Sequence, residues 1–259
     1  MLEANFQTLK RYRYLLSNLI VKDIKLKYRR SILGILWSVL NPLLMMIVIS
    51  AVFSNIFKFQ VENFPLYYLT GSTLFNFMSE STNLAMMSIL NSRELIKKIY
   101  IPKYIFPIEK CLFGFVNFLF SLIAVVVMFI VFGYPLHLTS LLFFIPAIYT
   151  LIFSMGLGMI LSALGVFFRD VIHLYSVVVV AWNYFTPIVY PYEILGEKMK
   201  MFMQINPMYY FVSYFRDVTM YNTVPGVKID LICIAFSVGT LIFGLWFFKK
   251  TQDRFILYV

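Results

Sequence analysis

From Cys111 to Phe168 the chain runs for 58 residues without a Lys, Arg, Asp or Glu. A helix of about 20 apolar residues covers the hydrocarbon of a bilayer, so this run is too long for one crossing and right for two. Gly133-Tyr134-Pro135 supplies the turn between them. A second uncharged run, Ile32 to Phe57, begins where a basic patch (Lys22, Lys25, Lys27, Arg29 and Arg30) stops at Ser31. Lys and Arg ahead of a span stay on the cytoplasmic side, so the N-terminus is expected inside. Asn41-Pro42 is expected to bend that span, because proline removes a backbone hydrogen bond and crowds the preceding turn.

Composition points the same way. The chain is 61% hydrophobic and 13% charged, with a mean hydropathy of +0.82, which belongs to a membrane protein rather than a soluble domain. The net charge of +10 sits in segments between apolar runs. That fits topology and anionic lipid headgroups, not a nucleic-acid-binding face. Cys111 and Cys233 both lie in apolar runs, so no disulfide framework is implied. The first apolar run starts too late, is too long and lacks a small-residue cleavage site, so no cleavable signal is expected.

The expected fold is an all-α integral membrane protein with six transmembrane helices. Residues 1–31 form a cytoplasmic amphipathic and basic interface segment, and 32–259 the six-span domain. The spans fall at about 32–57, 64–90, 104–132, 139–168, 171–189 and 229–248. In residues 5–20, Phe6, Leu9, Tyr12, Leu16 and Leu19 recur every three or four positions, with Lys10, Arg11 and Arg13 on other faces. That pattern suits a helix lying in the membrane surface, or a surface helix of a small cytoplasmic cap. Glu80 is read as the one carboxylate deep in a span, facing protein or water. Ser154, Gly158 and Ser162 repeat at four-residue spacing and predict close helix packing. A charged cytoplasmic helix is expected at about 92–101, with Glu94 in its first turn and its end before Pro102. Residues 190–228 are too long for a turn and too apolar for a solvated loop. Their uncharged stretch Met201–Phe215, with Pro207 inside it, reads as re-entrant or interfacial on the outward side. Of 22 Lys and Arg, 17 fall inside under this topology and five outside.

No chemistry of catalysis is visible. Gly239 and Gly244 have the spacing of a phosphate-binding loop, but Leu245-Trp246 replace the Lys-Ser/Thr that would grip phosphate and magnesium. His137 and His173 fall near opposite faces, so a shared metal site is not expected. The chain is read as non-enzymatic, with no cofactor of its own.

Four stretches together resemble a known family: YRRSILGILWSVLNPLL (Tyr28–Leu44), RELIKKIYIPKYIFP (Arg93–Pro107), FFRD (Phe167–Asp170) and PIVYP with NPMYYFVSYFR (Pro187–Arg216). They look like the type 2 ABC transporter permeases, and within these the polysaccharide and polyol phosphate exporters of O-antigen, teichoic acid and rhamnan. The resemblance implies a homodimer in the bacterial cytoplasmic membrane, both termini inside, resting on two separate ATPase subunits that bind ATP and magnesium. It implies a lipid-linked glycan cargo carried on undecaprenyl pyrophosphate. By position, residues 5–20 match the family's interface helix. Glu94, Leu95, Ile96, Lys97, Lys98, Ile99 and Tyr100 match its ATPase-coupling helix, and Tyr190–Tyr221 its outward gating helices. Aromatic rings contact both faces and hydroxyls of sugars, which makes Trp37, Trp182, Tyr184, Phe185 and Tyr190 channel-lining candidates. Tyr209, Tyr210, Tyr214 and Arg216 are outward-gate candidates. Arg29, Arg30 and Arg169 are candidates for the lipid pyrophosphate. The alternatives are a type 2 ABC permease for a small drug or lipid and a secondary transporter, which would show internal repeats and broken helices.

Overall fold

The computed structural model describes residues 12–29, 31–57, 61–98, 101–135 and 137–258. In chain order the α-helices are α1 (Arg13–Tyr28), α2 (Leu36–Phe57), α3 (Phe64–Asn91), α4 (Arg93–Lys98), α5 (Ile105–Val131), α6 (Phe144–Phe167), α7 (Asp170–Phe185), α8 (Glu197–Met203), α9 (Pro207–Thr219) and α10 (Val227–Thr251). Short 3-10 turns cover Leu138–Phe143, Tyr192–Ile194 and Gln252–Leu257, and no strand occurs among the described residues.

Helix ends follow local chemistry. Gly34 has φ +51°, and its N–H donates to the Ser31 hydroxyl at 3.1 Å, so α2 begins at Leu36 instead of Ile32. Gly133, φ +64°, makes the turn expected after α5. The fifth span ends four residues earlier than the expected Val189. Thr186 precedes Pro187 and is pushed into an extended conformation, leaving α7 with 16 residues. The surface helix continues past its expected end. It is expected over 5–20, and α1 runs from Arg13 to Tyr28, carrying Lys22, Lys25 and Lys27 of the basic patch; residues 5–11 lie outside the described residues. Pro42 sits inside α2, which is helical on both sides of it.

Among the described residues four segments are long and apolar enough to cross a membrane: Leu36–Phe53, Ile105–Val131, Leu138–Phe167 and Val227–Phe255. Helix α3 is more polar, yet it is the centre of the bundle, packed by α2, α5, α6 and α9. Much of its polarity is small hydroxyls returned to its own backbone. Thr70 donates to the Leu66 carbonyl at 2.8 Å, Thr73 to Leu69 at 2.6 Å and Thr82 to Met78 at 2.8 Å. Such side chains are satisfied without water and leave a narrow helix that neighbours approach closely.

The small-residue face of α6 packs as its spacing predicts. Ser154 and Ser162 are buried, and a Cβ on Gly158 would lie 2.7 Å from that of Ala85 on α3. Gly156, missed in the sequence, matters more. A Cβ there would run into the backbone of Thr240 on α10, and one on Gly244 into the backbone of Gly156. Gly156→Ala is expected to destabilise the α6–α10 crossing by about 1–3 kcal/mol, because backbone cannot give way as a side-chain tip can. Gly239→Ala, on α10 with open space around it, should leave the thermal midpoint of the purified protein unchanged; equal midpoints for both variants would refute the crossing.

Candidate transport path and coupling surface

The basic segments gather at one end of the bundle. Lys110, in the second turn of α5, pairs with Asp23 of α1 and, at 3.2 Å, with Glu109. Lys27 of α1 pairs with Glu80 of α3 at 2.7 Å. Lys103 donates to the Gln252 carbonyl at 2.7 Å, and Phe255 packs on Phe167 and Phe248, which brings the C-terminal turn to the same end. Glu80 is half-exposed and paired, as an ionisable group at that depth requires. It is not the only carboxylate in a span: Glu109 of α5 is 2% exposed, and its second carboxylate oxygen has no hydrogen-bond partner among the described residues.

Helix α4 projects from this end. Its backbone is anchored by the Ser92 carbonyl, which accepts from Leu95 and Ile96 at 3.0 Å. Leu95 and Ile96 are half-buried against the cluster around Ile89 and Phe106. Arg93, Glu94, Lys97 and Lys98 are exposed. Helix α4 is thus held by two apolar residues and shows its charge outward. Ile99 and Tyr100 lie outside the described residues.

At the opposite end, α8 and α9 fold back onto the bundle. Asn206 accepts from the Met208 N–H at 3.0 Å, capping α9, whose first residue is Pro207. The same side chain donates to the Phe185 carbonyl and the Thr186 hydroxyl and accepts from the Trp182 indole at 2.8 Å. Arg216 is 3% exposed. It donates to the Tyr67 carbonyl at 2.9 and 3.2 Å, to Pro187 at 2.7 Å and to Ile188 at 3.4 Å, and lies over the Tyr67 ring at 3.5 Å. Gly71 leaves it room, since a Cβ there would run into the guanidinium.

The aromatic candidates divide. Trp37, Tyr184 and Phe185 are exposed on the bundle surface, Trp37 at the start of α2 and the other two at the end of α7. Trp182 is turned inward, edge-on to Phe75 and Phe153. Tyr190 is half-buried and donates to the Tyr184 carbonyl at 2.7 Å. Among the gate candidates Tyr214 and Arg216 are buried, Tyr209 stacks on Tyr192 at 5.1 Å, and Tyr210 lies against Tyr209. Arg29 and Arg169 are exposed at the basic end, and Arg30 lies outside the described residues. A polar cavity unseen in the sequence opens between α1, α2, α3 and α5, about 250 Å³ in volume and lined by Trp37, Asn41, Asn76, Glu80, Asn117 and Lys27 among others. Its residues come from four separate stretches, so no local motif announces it.

Apolar helices packed through small residues, with charge gathered at one end, define a multi-pass membrane protein of the permease kind. Residues 14–220 match the ABC-2 type transporter family, and the chain belongs to it. It is 30% identical over 247 residues to an O-antigen export system permease of Klebsiella pneumoniae, covering 93% of this chain and 95% of that one. It is 27% identical over 246 residues to an O-antigen export system permease of Myxococcus xanthus, covering 94% and 95%. It is 21% identical over 247 residues to a polysialic acid transport protein of Escherichia coli, covering 92% and 93%.

Proposed function

We propose that this chain is the membrane subunit of an ATP-driven exporter that moves a lipid-linked polysaccharide across the bacterial cytoplasmic membrane. The observation that carries this reading is its similarity, over nearly its whole length, to permeases named for O-antigen export. Two copies form the conduit, two separate ATPase subunits drive it, and the polymer's undecaprenyl pyrophosphate is drawn to Arg29, Arg30 and Arg169 at the basic end. Helices α2, α3, α5, α6, α7 and α10 each cross the bilayer, with both termini in the cytoplasm. At 1.5 Å per residue α7 spans only about 24 Å against a hydrocarbon core of about 30 Å. Residues 186–190 and the re-entrant pair α8–α9 complete that side. Deleting the gene should remove the surface glycan and leave lipid-linked polymer inside the cell, readable by glycan staining of intact and lysed cells. Unaltered surface glycan would overturn the reading, and loss of drug or lipid efflux in its place would favour the small-substrate permease.

The exposed charge on α4 supports its assignment as the contact through which ATP hydrolysis is transmitted. Replacing Glu94–Lys98 by Gly and Ser is expected to drop export to background while the ATPase continues to turn over. Export at the wild-type rate would remove α4 from that role.

A further inference from the structure

The polar cavity between α1, α2, α3 and α5 contains two side chains the fold does not use. Asn41 lies in the second turn of α2 and Asn76 near the middle of α3, the thirteenth of its 28 residues. Both are exposed and both line the cavity. Neither side chain makes a hydrogen bond among the described residues. Residues on either side of Asn76 are buried, so the helix turns this one amide into the opening. An amide at bilayer depth with no partner is costly unless water or a ligand satisfies it. Another part of the lining is already ordered: Asn117, 4% exposed, donates to Glu80 at 3.3 Å and accepts from the Tyr28 hydroxyl at 3.4 Å.

The chemistry selects a class of ligand. Each carboxamide offers two N–H donors and a carbonyl acceptor, which together match the donor and acceptor of neighbouring hydroxyls. Trp37, 45% exposed, also lines the cavity, and an aromatic ring is suited to the C–H face of a sugar ring. The charged residues of the lining, Lys27 and Glu80, are paired at 2.7 Å, so the cavity carries no net charge. It has nothing to hold a pyrophosphate, which needs unneutralised cations. At about 250 Å³ the cavity is small, a space on the scale of one sugar ring and not of a folded chain.

We propose that this cavity is a neutral-saccharide subsite that receives one pyranose unit through Asn41, Asn76 and the face of Trp37. It deepens the export reading by giving the cargo's sugar, as distinct from its pyrophosphate, a contact within a single subunit. Such a contact is weak by design, since a conduit must release what it binds.

The test uses the full-length chain in lipid nanodiscs free of glycoside detergents. The probes are methyl α-mannopyranoside, methyl β-galactopyranoside and inorganic pyrophosphate, followed by saturation-transfer NMR. At least one glycoside should bind in the millimolar range, and pyrophosphate should not displace it. Asn76→Leu and Asn41→Leu should each weaken that binding about tenfold, while Asn76→Gln retains it. Thermal midpoints check folding, and should Asn76→Leu fail to fold, Asn41→Leu and Trp37→Leu carry the comparison. Binding of neither glycoside, undiminished binding by the folded Leu variants, or displacement by pyrophosphate would each overturn the subsite. This failure is separable from that of the export reading. Surface glycan lost on gene deletion, with no glycoside bound, leaves the exporter without the subsite; glycoside bound with surface glycan intact leaves the subsite without the exporter.

Discussion

Arg216→Met is expected to unfasten the end of the bundle where α9 meets α3 and to reduce the folded yield to a small fraction of wild type. The side chain is buried and gives four hydrogen bonds to three carbonyls, those of Tyr67, Pro187 and Ile188. Pro187 and Ile188 belong to the non-helical segment after α7, whose carbonyls have no helical ladder to use. Methionine fills the volume but leaves the Ile188 carbonyl without its donor and Pro187 with only the Tyr67 hydroxyl, at 3.2 Å. A hydrogen bond to a charged group contributes roughly 1.5–3 kcal/mol, so losing this set costs on the order of 3–5 kcal/mol even after relaxation. Lysine does not substitute, because a single ammonium lacks the planar fork that reaches two strands of backbone at once. Gly71→Ala should give a lesser form of the same defect by pushing the guanidinium out of its seat. Thermal unfolding of the purified variants measures both. An Arg216→Met midpoint within a degree or two of wild type would show that α9 is held by its apolar face alone.

How this arginine reads in the sequence shows where inference from residues stops. A charge near the end of an apolar segment is indistinguishable from a solvated loop charge until a partner helix is known, and the partners of Arg216 lie 28 to 149 positions away. The same holds for Glu109. It sits at the edge of a span, where exposure is the default expectation, yet it is buried by α1 packing across it. Long uncharged runs, by contrast, need no partner to be recognised. The Gly133 turn, the first and last spans and the basic segments at one end were all legible because hydropathy and glycine act locally. The shortness of α7 was half legible: Pro187 was in view, but its reach back through Thr186 was not weighed against the apolar run. The cavity with Asn41 and Asn76 was not legible at all. An asparagine inside an apolar stretch signals only that something must satisfy it, and the neighbours that leave it unsatisfied come from other helices.

Lys110→Met is expected to be the most damaging substitution at the basic end. The ammonium serves two carboxylates, Asp23 on α1 and Glu109 on its own helix, and is itself largely buried. Without it Glu109, 2% exposed, has no other described cation beside it, and its carboxyl must take up a proton or hold a charge that nothing meets. Breaking a buried pair by removing one partner costs up to about 3–5 kcal/mol, the full amount applying where the remaining group stays charged and less where it takes up a proton. Removing both charges is different: a buried pair replaced by neutral groups of similar size is close to neutral in stability. Lys110→Met combined with Glu109→Gln should therefore recover most of the lost thermal midpoint. Asp23, nearer the surface, can turn to water, so Asp23→Asn should cost far less than Lys110→Met. The consequence extends to α1, which α5 holds through this contact, and limited proteolysis should cut α1 faster in the single variant than in the double. A double variant no more stable than Lys110→Met would mean that the charge left on Glu109 is not what the lysine neutralises, and that the damage comes from lost packing alone.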